Sequence, residues 1–383
     1  MNTNTPPAIT IGPRVRQSPF YDATRAAGAT AFTVYNHMYM PTSYGDTEAE
    51  YWALVKGVTL WDVSAERQIE ISGPDAEAFT QLLTPRDIAS CPIGRGRYVI
   101  FLDDDAGIVN DAVLLRLAQD RFWLSPGDGD VLLWAKAVAT QVDMDVHVSE
   151  PDVSPLQLQG PLAGKVAQKL FGDIAIEMGY YHFHELELAG IPLVLSRTGW
   201  SGEFGYEIFL QDGSRGTELW DLCMEAGAEY DIRPACPSLV RSVEGGLLSY
   251  FSDIAPTDNP FTIGMAHLLD IDKPYPYIGK KALQNIAATG PTRRLVGANF
   301  GGDPVPGNPK FWDIQVAGEK VGHITRCCYS PRLEHNIALV NLPVDLAEPG
   351  TAISLDIGGE WREATVCAIP WFTSIKKLPQ LDG

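Results

Sequence analysis

The most constraining feature of this sequence is a glycine-rich stretch that connects two apolar runs. It reads Arg197-Thr198-Gly199-Trp200-Ser201-Gly202-Glu203-Phe204-Gly205-Tyr206-Glu207-Ile208-Phe209-Leu210, and it follows the apolar residues 191–195. Glycines at this density allow positive φ angles and a close approach of the backbone to a ligand. The last five residues predict a strand with Glu207 near its start. The stretch therefore predicts a turn between two strands.

The side chains of this turn suit a flat heterocycle. Trp200 and Tyr206 supply aromatic faces, and the carboxylate of Glu207 can accept two hydrogen bonds at once from neighbouring N–H groups. The alternative is a structural turn whose aromatic residues belong to the core. A single motif does not distinguish a ligand site from a structural turn.

Length and charge limit the classes of protein and partner. A chain of 383 residues exceeds one compact core, so two or three domains are expected. A net charge of −19 argues against nucleic acid and anionic membranes, because both need a basic face. We expect a small-molecule partner, and any anionic ligand then needs a local basic pocket.

Cysteine usage indicates a reducing compartment. The six cysteines show neither a C-x-x-C motif nor the spacing of a metal site, so we expect reduced thiols, a cytoplasmic protein and no metal. Adjacent Cys327 and Cys328 are expected on opposite faces of a strand. Residues 1–17 do not resemble a secretory signal, and no apolar run approaches the roughly 20 residues that span a bilayer.

An internal repeat organises the first two thirds of the chain. Residues 68–76 resemble residues 156–163, each with an alternating strand followed by a Gly-Pro turn and an amphipathic helix. The repeat predicts two related α/β units, although chance similarity is an alternative because such junctions are common. Helices are predicted over residues 46–55, 217–226 and 239–248. From residue 294 onward, short strands between glycine turns predict a small β domain.

Asp111 is a second candidate site residue. It follows the turn of a predicted hairpin, with strands over residues 98–102 and 108–115, and its neighbours Val109 and Val113 are apolar. A half-buried carboxylate there can act as an acid or base, or as a hydrogen-bond acceptor for an amine. The alternative is an aspartate that completes the turn by bonding to the backbone.

Several short sequence motifs together resemble one family, the folate-dependent methyl and aminomethyl transferases typified by the glycine-cleavage T-protein. Each motif alone has little specificity, but the motifs follow the family order over residues 30–372. They are Trp61-Asp62-Val63-Ser64, Gly73-Pro74-Asp75-Ala76, Gly107-Ile108-Val109-Asn110-Asp111, Gln159-Gly160-Pro161, the glycine-rich stretch from Arg197 to Glu207, Asn259-Pro260-Phe261, Tyr277-Ile278-Gly279-Lys280 and Tyr329-Ser330-Pro331.

This resemblance implies an α+β fold of three domains around a central folate channel. Two interleaved α/β units are expected over residues 1–275 and a β-barrel over residues 285–383. The resemblance also implies that tetrahydrofolate is the cofactor, that Glu207 holds its pterin and that Asp111 lies near the reactive N5. Tyr98, Trp200 and Tyr206 are expected to line the pocket. A homodimer is a further expectation.

Further phrases resemble the branch of the family that demethylates dimethylsulfoniopropionate. They include Val34-Tyr35-Asn36-His37, Ala65-Glu66-Arg67-Gln68, Leu83-Thr84-Pro85-Arg86-Asp87 and Ala235-Cys236-Pro237. The methyl donor is then a sulfonium, and its transfer needs alignment more than acid or base catalysis. Aromatic faces attract such a cation. We therefore expect Tyr35 to face the sulfonium and His37 to bind the substrate carboxylate, with core packing as the alternative for both.

The sequence departs from the family pattern at one position. An arginine is usual two residues before the glutamate of Val243-Glu244, but Ser242 occupies that place and Arg241 precedes it. One residue turns a helical side chain by about 100°. Whether Arg241 replaces the usual arginine stays open.

Three alternatives to sulfonium demethylation remain at this point. Aminomethyl transfer in glycine cleavage and O-demethylation of a methoxy compound are both enzymatic. The third is a folate-binding protein without turnover. A flavin-fused oxidase is disfavoured because no G-x-G-x-x-G motif follows a first strand.

Overall fold

The computed structural model describes residues 11–379. None of the helices in this range is long and apolar enough to cross a bilayer. The elements follow in the order α1 (Tyr21–Ala26), β1 (Ala31–Tyr35), β2 (Met38–Ser43), α2 (Thr47–Lys56), β3 (Thr59–Asp62), β4 (Ile69–Ser72), α3 (Ala76–Leu83), β5 (Arg95–Leu102), β6 (Ile108–Ala118), β7 (Arg121–Pro126), α4 (Val131–Ala139), β8 (His147–Ser149), β9 (Ser154–Gln159), α5 (Ala163–Phe171), α6 (Asp173–Glu177), β10 (Phe183–Leu188), β11 (Ile191–Ser196), β12 (Gly205–Leu210), α7 (Gly216–Gly227), β13 (Arg233–Pro234), α8 (Leu239–Glu244), α9 (Lys280–Thr289), β14 (Arg293–Phe300), β15 (Trp312–Val316), β16 (Glu319–Ser330), β17 (His335–Pro343), β18 (Ala352–Ile357) and β19 (Glu360–Cys367).

Two sheets form the first part of the molecule, and they are interleaved along the chain. The six-stranded sheet has the order β10-β11-β12-β9-β3-β13, and the five-stranded sheet has the order β5-β6-β7-β4-β8. Strand β3 precedes the whole five-stranded sheet in sequence and β9 follows it, so the chain leaves the first sheet, builds the second and returns. The expected α+β fold with two interleaved α/β units is confirmed.

The sequence repeat corresponds to one junction in each sheet. Strand β4 leads into α3 and β9 leads into α5. The glycines of the two turns, Gly73 and Gly160, have φ angles of 121° and 125°, a region that favours glycine. A Cβ atom would meet the carbonyl oxygen of Asp145 at the first glycine and that of Gly57 at the second. Both turns therefore need glycine for conformation and for space.

The two sheets pack against each other through a small apolar cluster. It joins Leu115 and Trp123 of the five-stranded sheet to Val194 and Phe209 of the six-stranded sheet. The ring centroids of Trp123 and Phe209 are 6.2 Å apart. Side chains two residues apart on a strand share a face, so the residues two positions before or after these four also point into the space between the sheets.

The other face of the six-stranded sheet is covered by helices. Leu158, Tyr206 and Ile208 belong to a large core that also contains Val166 of α5 and Leu219 of α7. Each residue of β12 is buried, because one face meets helices and the other meets the second sheet.

The C-terminal part is a closed barrel, as expected. Its strands follow the order β14-β17-β16-β15-β18-β19, and β14 pairs with β19 to close it. Cys327 lies in the barrel core, whereas Cys328 lies in the core shared with the first part of the molecule. The prediction that these cysteines occupy opposite faces of a strand is confirmed, and all six cysteines are free thiols.

Two buried acids fasten the barrel to the rest of the chain. Glu244 in α8 accepts hydrogen bonds from Tyr51 of α2 and Ser330 of the barrel, at 2.8 and 2.6 Å, and pairs with Arg332. Asp253 pairs with Arg326 of β16, whose Nη2 lies 2.5 Å from the carboxylate.

Helix α8 is shorter than predicted. The sequence predicts a helix over residues 239–248, but α8 ends at Glu244. Gly245 and Gly246 follow, and Gly246 has a φ angle of 58°. A residue in this left-handed conformation ends a helix and is usually glycine.

Candidate functional site

The glycine-rich stretch forms a turn between β11 and β12 that places Glu207 between the sheets. Phe209 lies two residues further along the strand and faces the five-stranded sheet, so Glu207 faces the same way. Glu207 is 3% exposed. The carboxylate expected at the start of this strand therefore lies inside the molecule.

Two neighbours fix the Glu207 carboxylate. Gln157, its cross-strand partner on β9, donates to Oε1 at 2.9 Å, and the Thr198 hydroxyl donates to Oε2. Burial raises the pKa of Glu207, and these two hydrogen bonds oppose the rise. Each oxygen still has a lone pair available, so the oriented carboxylate can accept two more hydrogen bonds.

Asp111 on β6 faces the same space from the opposite sheet. It shares a face with Leu115, which belongs to the cluster between the sheets. The Tyr98 hydroxyl donates to its Oδ2 at 2.7 Å, whereas Oδ1 is buried and has no hydrogen-bond partner. Burial raises the pKa of Asp111 to about 6, against the lowering effect of the Tyr98 hydrogen bond. Asp111 can therefore change protonation near neutral pH and still accept a donor at Oδ1.

Glu66 is a third carboxylate at this site and was not singled out from the sequence. It lies in the connection between β3 and β4, which crosses from one sheet to the other. The Ser125 hydroxyl donates to its Oε2 at 3.1 Å. Burial raises its pKa well above the usual value, and the charges of Glu207 and Asp111 raise it further. Ser125 lies two residues after Trp123 and shares its face, so the hydrogen bond brings Glu66 to the space between the sheets that Glu207 and Asp111 also face.

Tyr35 and Trp200 are also brought to this region. The Tyr35 hydroxyl accepts a hydrogen bond from the Asp128 amide at 2.8 Å. Burial raises the pKa of Tyr35, and the charges of Glu66 and Asp111 add to the rise. Hydrogen bonds of its neighbours bring it near both acids, because the Asn36 side chain donates to the Ala65 carbonyl at 3.0 Å and the Gly127 amide, next to Asp128, donates to the Asp111 carbonyl at 3.1 Å. The Trp200 indole donates to the Leu248 carbonyl at 3.3 Å, and its backbone amide donates to the Gln157 side chain.

Tyr206 does not join this group. It precedes Glu207 on the strand, so its side chain points to the opposite face, where it is fully buried at 0% exposure. Its hydroxyl donates to the Ala175 carbonyl at 2.9 Å in the core under α5 and α6. Tyr206 thus supports the strand from behind, and the expectation that it lines the pocket does not agree with this position.

His37 also lies away from the residues gathered around Glu207 and Asp111. It occupies the turn between β1 and β2 with a φ angle of 61°, and its side chain is 69% exposed. The only charged group near it in the described part of the chain is Asp130, also exposed, at 3.8 Å. The expected binding of a substrate carboxylate by His37 does not agree with this surface position.

The side chain of Arg241, the arginine displaced by one residue from the family position, is buried against the glycine-rich turn. Arg241 is 1% exposed and turns into the interior, where it pairs with Glu203 at 2.6 Å and donates to the Gly202 carbonyl at 2.8 Å. It therefore holds the glycine-rich turn in place. The cation beside Ser242 comes from the barrel, because Arg326 donates to the Ser242 hydroxyl at 2.7 Å and lies 5.9 Å from the Trp200 ring.

The assembled site is acidic and aromatic. Glu207 and Asp111 approach from different sheets, Glu66 comes from the connection between the sheets, and Tyr35, Tyr98 and Trp200 lie around them. Oriented carboxylate oxygens beside an orphaned acceptor on Asp111 suit a flat ring that carries several N–H donors. Within residues 11–379, no group of three or more metal-ligating side chains has the geometry to hold a metal ion.

Comparisons with known proteins agree with this architecture. The model of the GCVT N-terminal domain matches residues 20–273, and the model of the glycine cleavage T-protein C-terminal barrel domain matches residues 293–372. The dimethylsulfoniopropionate demethylase of Ruegeria pomeroyi is 35% identical over 92% of this chain and 96% of its own length. An aminomethyltransferase of Symbiobacterium thermophilum is 30% identical over 94% of this chain and 98% of its own.

A solved structure shares the fold. It is the glycine cleavage system aminomethyltransferase T of Bartonella henselae, with a TM-score of 0.84 and 24% identity over 95% of this chain and 99% of that one. The two family models together cover most of the chain. This chain belongs to the glycine cleavage T-protein family, whose members are tetrahydrofolate-dependent methyl and aminomethyl transferases, as its sequence motifs predicted.

Proposed function

We propose that this protein transfers the S-methyl group of dimethylsulfoniopropionate, or of a close sulfonium, to N5 of tetrahydrofolate and releases methylmercaptopropionate. The supporting observation is the charge of the site. Glu66, Asp111 and Glu207 face one region, and none of the ion pairs in the described part of the chain involves any of them.

Burial raises the pKa of each of these acids and no cation of the described residues pairs with them, so a ligand that brings positive charge would stabilise their ionised forms. A sulfonium carries a fixed charge at every pH, and its attraction to tyrosine rings contributes about 0.5–2 kcal/mol at each ring. A neutral methoxy compound has no charge that the acids or the tyrosine rings could attract. The site therefore fits a cationic donor better than a neutral one.

The residues also fit tetrahydrofolate, which supplies a nucleophilic nitrogen as methyl acceptor when it is bound. Glu207, oriented by Gln157 and Thr198, is placed to accept hydrogen bonds from the amino-pyrimidine edge of the pterin. Such bonds to a carboxylate are the stronger kind. Trp200, beside Gln157, is placed to flank the ring.

Asp111 is assigned to proton handling and Tyr98 to its orientation. The sulfur leaves as a neutral thioether, so it needs no acid. The acceptor nitrogen must lose a proton, and the free Oδ1 of Asp111 can take it when the carboxylate is ionised. Because the pKa of Asp111 is about 6, this form predominates at pH 7 and above.

The similarity to the Ruegeria pomeroyi demethylase supports a sulfonium donor over an aminomethyl donor. That relative is 35% identical to this chain, compared with 30% for the aminomethyltransferase of Symbiobacterium thermophilum. The difference is small, so the donor has to be tested directly.

The test is incubation of the protein with tetrahydrofolate and dimethylsulfoniopropionate, with detection of 5-methyltetrahydrofolate and methylmercaptopropionate. We expect both products in equal amounts. Parallel incubations contain a methoxy-aromatic compound or an aminomethyl-loaded lipoyl carrier protein. Transfer from one of these and none from the sulfonium would refute the proposed donor. Tight folate binding without any transfer would refute the activity and leave the fold intact.

A further inference from the structure

The side chain of Arg86 is held in place with much of its hydrogen-bonding capacity unused. Arg86 follows α3, and its segment is tied to residues 268–270. The Asp270 amide donates to the Pro85 carbonyl at 3.1 Å, and the Asp87 amide donates to the Asp270 carboxylate at 3.0 Å. The position of Arg86 is therefore fixed by its neighbours.

Among the described residues, the Arg86 guanidinium has one hydrogen-bond acceptor. Nη1 donates to the Leu268 carbonyl at 2.8 Å, and Nε is buried and has no partner in that part of the chain. Some other arginines without a carboxylate partner make more hydrogen bonds. Arg97, for example, donates to the carbonyls of both Asp87 and Ser90, and Arg197 donates to those of Gly205 and Lys376.

No carboxylate of the described residues forms an ion pair with Arg86, although the chain has a net charge of −19. Burial and the positive charge of Arg97 lower the pKa of Arg86, while Asp270 opposes that effect. An anion that binds to this half-buried, unpaired guanidinium would form charge-assisted hydrogen bonds with it and offset the cost of its burial.

Tyr181 connects this cation to the site. Its ring lies over Gly96 of β5, on the face of the strand that also carries Tyr98. Burial and the neighbouring Tyr180 raise the pKa of Tyr181, and the charge of Glu207 raises it further, while Arg86 lowers it. A hydrogen bond links the Arg86 segment to the same strand, because Arg97, between Gly96 and Tyr98, donates to the Asp87 carbonyl.

We propose that Arg86 binds a carboxylate of a ligand held in the site, as the residue that recognises the anionic end of that ligand. The inference rests on the proposed function, in which two ligands carry a carboxylate. One is the propionate group of the donor and the other is the glutamate of tetrahydrofolate.

The test compares Arg86→Gln and Arg86→Lys with wild type, using ligands that differ only in the carboxylate. The donor pair is dimethylsulfoniopropionate and its amide, and the folate pair is tetrahydrofolate and tetrahydropteroate, which lacks the glutamate. Loss of a hydrogen-bonded charge is expected to weaken binding of the carboxylate-bearing partner of one pair by on the order of 10- to 100-fold. The partner without the carboxylate should change little. Arg86→Lys, which keeps the charge, should recover part of the loss.

Arg97→Gln is the matched control, because Arg97 is a neighbouring arginine whose bonds go to backbone carbonyls. It should not discriminate between the members of either pair. Sensitivity confined to the donor pair would identify the propionate, and sensitivity confined to the folate pair would identify the glutamate. Equal weakening of ligands with and without the carboxylate would overturn the inference and leave Arg86 a structural residue.

Binding is measured by calorimetry as well as turnover, with methylmercaptopropionate and its amide as unreactive ligands. This separates the inference from the proposed function. A protein that demethylates no sulfonium but binds tetrahydrofolate through Arg86 would refute the donor and support the inference. Demethylation of the sulfonium by the wild type, with unchanged ligand selectivity in Arg86→Gln, would support the proposed donor and refute the inference about Arg86.

Discussion

Glu207 and Asp111 approach the site from different sheets, and their surroundings differ. Both oxygens of Glu207 already accept a hydrogen bond, from Gln157 and Thr198, and the side chain is 3% exposed. Asp111 has one donor, Tyr98, and a buried oxygen with none. A carboxylate fixed at both oxygens is suited to orient a ligand. One with a free oxygen and a pKa of about 6 is suited to exchange a proton.

This division of roles is most sharply tested by Glu207→Gln, for which we expect the largest effect. The substitution removes the charge from the hydrogen bonds that would hold the pterin. The dissociation constant for tetrahydrofolate should rise by on the order of 100-fold or more, because hydrogen bonds to a charged group are worth about 1.5–3 kcal/mol each. Calorimetry measures the change. Glu185→Gln, on an exposed part of the same sheet, is the control, and unchanged folate affinity in Glu207→Gln would contradict the assignment.

Asp111→Asn should affect turnover more than binding. Loss of a proton acceptor is expected to lower kcat by about 100-fold, within the usual range for general base catalysis, while folate affinity changes by a small factor. In the wild type the acceptor is lost as the pH falls through about 6, because the raised pKa lets Asp111 take up a proton there. The decline of kcat below that pH should be absent in Asp111→Asn.

The pH–rate profile of Asp104→Asn serves as the control, because Asp104 is exposed in the turn of the same hairpin. It should retain the decline below pH 6. A tenfold loss of folate affinity in Asp111→Asn, with kcat preserved, would reverse the roles given to the two acids.

Glu66→Gln is expected to have the smallest effect. Burial and the other two acids raise the pKa of Glu66 well above its usual value, so the substitution removes little charge, and it leaves a group that can still bond to Ser125. The KM for the sulfonium should rise by about fivefold at most, equivalent to roughly 1 kcal/mol. The KM for tetrahydrofolate in the same variant is the internal control. An equal rise in both would show that Glu66 supports the site as a whole and has no special relation to the cation.

Much of the fold and part of the site could be predicted from the sequence. The Gly-Pro repeat, the hairpin around Asp111 and the strand after the glycine-rich turn are local patterns, and the structure contains all of them. The early end of α8 also had a local signal in Gly245-Gly246. The apolar pattern continues through Leu247 and Leu248, but the two glycines end the helix before it.

The position of Tyr206 follows from the alternation of side chains along a strand. Consecutive residues of a strand point to opposite faces, so Glu207 and Tyr206 could not both line one pocket. His37 had no such signal, because its exposure follows from a tight turn whose orientation depends on residues far along the chain. Glu66 and Arg86 lie in connecting segments without periodicity, and the contacts of both depend on residues far along the chain, Ser125 for Glu66 and Leu268 for Arg86.

The acids that fasten the barrel have a consequence for how the enzyme is built. Glu244 and Asp253 are buried, and each is neutralised by an arginine of the barrel. Without the barrel both charges would be left uncompensated in the interior, which is strongly destabilising. Gene truncation after residue 290 should therefore not yield a smaller, self-sufficient catalyst. The barrel, although remote in sequence from the acidic site, is thus expected to be required for the folding of the region that carries it.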